Sequence, residues 1–81
     1  MNQEIVKELD KILPVVVRVH GDHHPELKEI AALYEELKAT PNGEIIGKLR
    51  AATNDFTLPD DACPTYEKTY RHLSCLAKEL A

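Results

Sequence analysis

The sequence predicts an all-α fold, a small antiparallel bundle of four helices, or of three plus one kinked helix. Three observations carry this. Apolar residues recur at three- and four-residue spacing in four separate stretches, the period of a helix with one buried face. Three breaks containing proline separate these stretches: Gly21-Asp22-His23-His24-Pro25, Thr40-Pro41-Asn42, and the longer run Asp55 to Cys63 around Pro59. The 81 residues are enough for one domain, spanning 1–81, and short connections between amphipathic helices favour antiparallel packing.

The first helix is expected from about Asn2 to Val19. Ile5, Leu9, Ile12, Val16 and Val19 form its stripe, Asn2 suits the N-cap and Glu4 the first turn. Pro14 interrupts it, because proline lacks an N–H and its ring crowds the preceding turn. A kink near Pro14 is the expectation. The alternative is a break followed by an extended Val15-Val16-Val17, residues that favour strands. The second helix is expected from about Pro25 to Ala39, with proline at its first position. Leu27, Ile30, Ala31, Tyr34 and Leu37 line one face, and Glu26, Lys28, Glu29, Glu35, Glu36 and Lys38 face solvent. The third is expected from about Pro41 to Asn54, capped by Thr40, with Ile45, Ile46, Leu49, Ala52 and Thr53 inward. Gly43 and Gly47 weaken it by about 1 kcal/mol each relative to alanine, and their four-residue spacing would admit a close helix contact. In the following loop Phe56 and Leu58 serve as apolar anchors. The fourth helix starts near Pro64 and buries Tyr66, Tyr70, Leu73, Leu76, Ala77 and Leu80, leaving His72 off the stripe and exposed.

Composition excludes several function classes. The net charge of −4 and the lack of a Lys/Arg cluster argue against nucleic-acid binding. No apolar run approaches the roughly 20 residues of a membrane span. The opening Met1-Asn2-Gln3-Glu4 lacks the basic start of a signal peptide. Cys63 precedes the fourth helix and Cys75 lies three turns inside it, roughly 16–18 Å away and too far for a disulfide. Both are expected as free thiols in the cytoplasm. No CxxC pair points to redox or zinc-ribbon chemistry.

The densest chemistry is His20-Gly21-Asp22-His23-His24-Pro25. Three of the four histidines fall here, at the hinge between the first two helices. Neutral imidazole is the commonest metal ligand, so His20, His23 and His24 are the candidate metal ligands, for iron or zinc. Adjacent His23 and His24 point in different directions on any regular backbone. His20 ends the first apolar stripe and is the inward-facing candidate. The plainer interpretation is a set of solvated loop and capping residues, since a metal centre needs donors from several elements.

Two blocks carry a family resemblance. Val19-His20-Gly21-Asp22-His23-His24-Pro25-Glu26-Leu27 resembles the first-helix hinge of bacterial hemerythrin-like (HHE cation-binding) domains, nearest to the di-iron repair-of-iron-centres proteins. Leu49 through Cys63 (Leu-Arg-Ala-Ala-Thr-Asn-Asp-Phe-Thr-Leu-Pro-Asp-Asp-Ala-Cys) resembles that family's LR-x-x-TNNYTPP-x-x-AC connection between its last two helices, and Thr65, Tyr66 and Tyr70 continue the match. The resemblance implies a four-helix bundle around an oxo-bridged di-iron centre held by several His and two Glu. It also implies a role in repairing iron–sulfur clusters after oxidative or nitrosative stress. His20 matches a family ligand position. The other ligand positions are not matched. An earlier first-helix His would precede Met1, and the second-helix H-M-x-K-E-E-x-x-L-F-P segment is absent. The third-helix ligand His falls on Ala39, and H-x-H-x-E-N would lie past residue 81.

One imidazole cannot hold two irons. The expected function is therefore that of a non-enzymatic helical interaction module related to iron–sulfur repair proteins, with no cofactor and with a homodimer or another protein as partner. Uncovered apolar surface would drive that association. The alternative is an iron or zinc site rebuilt from His20, His23 or His24 of two chains, with Asp22 as a further donor. An enzyme is not expected: there is no nucleophile–base pair, phosphate-binding glycine loop or complete metal set. Cys63 at a helix start is a position where thiols can be activated, and otherwise a small apolar residue of the loop.

Overall fold

The computed structural model describes residues 2–80 and is all-helical: α1 (Gln3–His20), α2 (Glu26–Ala39), α3 (Gly43–Ala52) and α4 (Pro64–Leu80). α1 packs on both α2 and α4, α2 packs on α3, and α3 makes a lighter contact with α4. One core joins all four, centred on Leu9, Leu13, Val16, Leu27, Ile30, Leu37, Leu49, Tyr66, Leu73 and Leu76.

α1 starts where Asn2 caps it, its side-chain oxygen accepting from the Glu4 and Ile5 N–H groups at 2.9 and 3.2 Å. Those are two of the donors a helix start leaves unpaired. Pro14 lies inside an uninterrupted helix, so the extended Val15–Val17 segment does not form. Proline's fixed φ suits a helix, and its cost is one lost N–H bond and ring crowding. Burial of Leu9 and Leu13 before it and Val16 after it offsets that cost. The stripe also differs from expectation: Leu13 is buried and Val19, one residue before the end of α1, is 60% exposed.

Pro25 precedes α2 and Glu26 opens it, with the Leu27 N–H donating to the His24 carbonyl at 3.0 Å. Leu33, absent from the expected face, is buried as well. α3 begins two residues later than expected. Asn42, not Thr40, is its cap, accepting from the Ile45 N–H at 2.9 Å, while Thr40 closes α2 by donating its N–H to the Glu36 carbonyl at 2.9 Å. Neither Gly43 nor Gly47 has a neighbour within 4 Å of where a Cβ would sit, so their spacing serves no close helix contact.

After α3 the chain makes an unusual turn. Asn54, Asp55 and Phe56 are all left-handed, with φ of 54°, 57° and 60°. Each costs a non-glycine residue roughly 1–2 kcal/mol. Buried Thr53 organises the turn: its hydroxyl donates to the Leu49 carbonyl at 2.8 Å and accepts from the Phe56 N–H at 2.9 Å. Arg50 adds an ion pair to Asp55 at 2.9 Å and places its guanidinium 5.6 Å from the centre of the Phe56 ring. Phe56 packs on the core as expected of an anchor, whereas Leu58 is 36% exposed.

Two further expectations change. His72 is half-buried, and its Nε2 is buried with no hydrogen-bond partner. Among the described residues, the large hydrophobic side chains left exposed are Val15, Val19 and Leu58, so the uncovered apolar surface expected from the sequence includes these three. No described helix is long and apolar enough to cross a membrane.

Candidate functional site

The left-handed turn brings the loop before α4 back to the hinge between α1 and α2, and the candidate site forms where they meet. His20 is the last residue of α1 and Cys63 stands immediately before α4. His20 Nε2 and Cys63 Sγ share a hydrogen bond of 3.3 Å, whose direction follows the imidazole tautomer. The sulfur also accepts from the Tyr66 N–H at 3.4 Å. It thus occupies the place a serine or aspartate oxygen takes when capping a helix start. Cys63 and Cys75 are both free thiols, the first half-buried and the second exposed.

His24 reaches the same loop from the other side of the hinge. Its Nε2 lies 2.9 Å from one Asp61 carboxylate oxygen, and its Nδ1 lies 3.5 Å from Glu26. The hydrogen bond to the Asp61 carboxylate raises the His24 pKa against partial desolvation, and Glu26 adds a smaller upward contribution. Reciprocally, His24 holds the Asp61 carboxyl below its ordinary range. Both imidazoles meet the fully buried Tyr66 ring edge-on, His20 at 5.1 Å and His24 at 5.7 Å between centroids. Tyr70 stacks edge-to-face behind it at 5.1 Å. Burial is the main cause that pushes both tyrosine hydroxyls up, followed for Tyr66 by the adjacent Tyr70 hydroxyl. That neighbour is close enough to act electrostatically but makes no aligned bond, and the Tyr66 hydroxyl is buried without a hydrogen-bond partner.

The three histidines singled out from the sequence therefore do not share one centre. His20 turns to Cys63 and His24 to Asp61 and Glu26. His23 is exposed, and its backbone N–H donates to the His20 carbonyl at 3.1 Å. Asp22 is exposed. Among the described residues no three His, Cys, Asp or Glu side chains are grouped to hold a metal ion. Ala39, the position matched to a third-helix ligand, is the exposed last residue of α2 rather than part of α3.

Chemically the arrangement is a thiol–imidazole contact beside a carboxylate–imidazole pair, divided by a tyrosine ring. No described carboxylate or amide bonds the second nitrogen of His20, so nothing orients that imidazole as a general base. The histidines and the Cys63 thiol stand out in the sequence, but their pairing, and Asp61 as a partner, do not. Asp61 and Cys63 lie 37 and 43 residues from them, and only the acidic Asp60-Asp61 next to Cys63 hinted at a counterpart for an imidazole. No family model matches this sequence, and no solved structure matches it.

Proposed function

We propose that these residues form a hemerythrin-like antiparallel four-helix module, related to the iron–sulfur repair proteins, that holds no di-iron centre. In this reading it is not an enzyme. It works by protein contact, with a second copy of the chain as its first partner, in the cytoplasm, where its two thiols stay reduced. The observation that supports this most is the placement of His20: the one residue matched to a family ligand is engaged by Cys63, and the position matched to a second ligand is Ala39, which has no donor atom on its side chain and is exposed at the end of α2. The resemblance supplies the fold class and family, and the all-helical core agrees with it. A domain of this size buries only about 60–65% of its extended-chain surface, which favours association.

Elemental analysis after anaerobic incubation with ferrous iron, and separately with zinc, tests the proposal when run beside mass by light scattering. The expected result is a folded, metal-free protein with a dimeric mass at high concentration. Near-stoichiometric metal, lost in His20→Ala, would overturn it in favour of a His site rebuilt between chains. A monomer at every concentration would refute the second copy as partner.

A further inference from the structure

Away from the hinge, α1 and α2 line a cavity of about 570 Å³ that is open to solvent on one side. It falls within the range of ordinary small-molecule sites, about 300–1,000 Å³, and helical proteins commonly form such sites between helices. Its walls are apolar: Leu9, Leu13, Val17, Ala31 and the Tyr34 ring. The two ends differ in charge. At one, Lys38 Nζ lies 2.8 Å from Asp10 and 2.7 Å from Glu35, and the Tyr34 hydroxyl donates to Asp10 at 2.9 Å. That end has one cation against two anions and repels a further negative charge. At the other stands Arg18, exposed and outside every ion pair among the described residues.

We propose that this cavity binds a small hydrophobic carboxylate, with its apolar body between α1 and α2 and its carboxylate on Arg18. The polarity of the cavity supports this occupant over others. An apolar interior takes an alkyl or aryl body. The acidic end excludes the head group there, and a guanidinium at the open end offers two N–H donors to a carboxylate. A cationic amphiphile would meet Arg18 with like charge. The site is separate from the histidine hinge and does not depend on the fate of the metal ligands.

The test is a titration of the full chain with decanoate, below its micelle concentration, followed by backbone amide NMR and calorimetry, with decanol as the uncharged comparison. The expected result is saturable binding that shifts the amides of Leu13, Val17 and Ala31. Arg18→Gln should weaken decanoate about three- to tenfold while leaving decanol unchanged, the scale of one exposed to partly fixed charge contact. Arg18→Lys should recover part of the loss. Ala31→Phe, which fills the cavity, should abolish binding of both while retaining its helical circular dichroism. The proposal is overturned if decanoate gives no saturable shift at those amides. Equal affinity of wild type and Arg18→Gln for decanoate would also overturn it, as would unchanged binding in folded Ala31→Phe. If decanoate only splits a dimer without binding the monomer, the cavity belongs to the second copy and the proposal fails.

Discussion

Replacing Thr53 by valine removes one hydroxyl at nearly constant volume and tests what holds the left-handed turn together. Thr53 is 2% exposed. Its hydroxyl makes two short bonds, to the Leu49 carbonyl and from the Phe56 N–H. The Leu49 carbonyl keeps a second donor, the Thr53 N–H at 3.0 Å, so losing the hydroxyl there costs little. The Phe56 N–H has no such substitute. A partly buried donor left unpaired costs about 1–3 kcal/mol, and the three left-handed residues then keep only the backbone bonds of the turn, such as the Asp55 N–H to the Arg50 carbonyl at 2.7 Å and the Thr57 N–H to the Thr53 carbonyl at 3.1 Å. The expected loss is about 2 kcal/mol. For a domain of this size 1 kcal/mol moves Tm by about 4–8 °C, so Thr53→Val should melt about 8–16 °C lower when followed by circular dichroism. Thr53→Ser, which keeps the hydroxyl and loses a methyl, should fall by less than about half of that. If Thr53→Val melts within about 2 °C of wild type, or no lower than Thr53→Ser, the hydroxyl does not hold the turn and the reasoning is wrong.

Three other substitutions test separate parts of the structure. Gly47→Ala places a methyl in open space on α3 and should raise stability by about 0.5–1 kcal/mol in a urea melt; a decrease would mean the helix there is not as described. Gly21→Ala should do the opposite, by more than about 1 kcal/mol. A Cβ at that buried position would collide with the Val17 carbonyl oxygen, which already accepts the Gly21 N–H at 2.8 Å; an unchanged melt would contradict the close approach. The His24–Asp61 pair should make stability depend on pH. The imidazole pKa is raised in the folded protein, so its contribution is fully present below its ordinary value of 6.5 and is lost as pH rises through the higher folded value. The Asp61 pKa is lowered, so its share is present above 3.8 and lost as pH falls through the lower folded value. The Tm difference between wild type and His24→Gln should therefore be largest near pH 5–6 and shrink by about pH 9. A difference that is flat or grows with pH would show that the pair is not formed.

Much of the fold can be read from periodicity alone. Leu27, Ile30, Tyr34 and Leu37 recur at helical spacing and are buried. The same holds for Tyr66, Tyr70, Leu73 and Leu76 on α4. Sequence and structure part where two local signals compete. Thr40-Pro41-Asn42 offers two caps, and the choice falls to Asn42 because Thr40 already ends α2. Pro14 leaves open a kink, which is the expectation, or a break, and the helix runs on through it because packing of Leu9, Leu13 and Val16 on neighbouring helices outweighs one lost hydrogen bond. Val19 fits the stripe by spacing, yet it is 60% exposed at the end of α1. The triple left-handed turn left no trace in the pattern, since only Asn54 and Asp55 tolerate that conformation readily and Phe56 does not.

Four helices, their apolar faces, the free thiols and the gathering of three histidines at one hinge are legible in the chain, because each follows from residues near one another. What those histidines touch is set only by how the helices pack. His20 meets Cys63 and His24 meets Asp61 across 43 and 37 residues, and the cavity between α1 and α2 exists only once Leu13 and Ala31 face each other. Such contacts depend on where the turn after Thr53 directs the chain, and helical spacing records which face of a segment is buried but not which element comes to cover it.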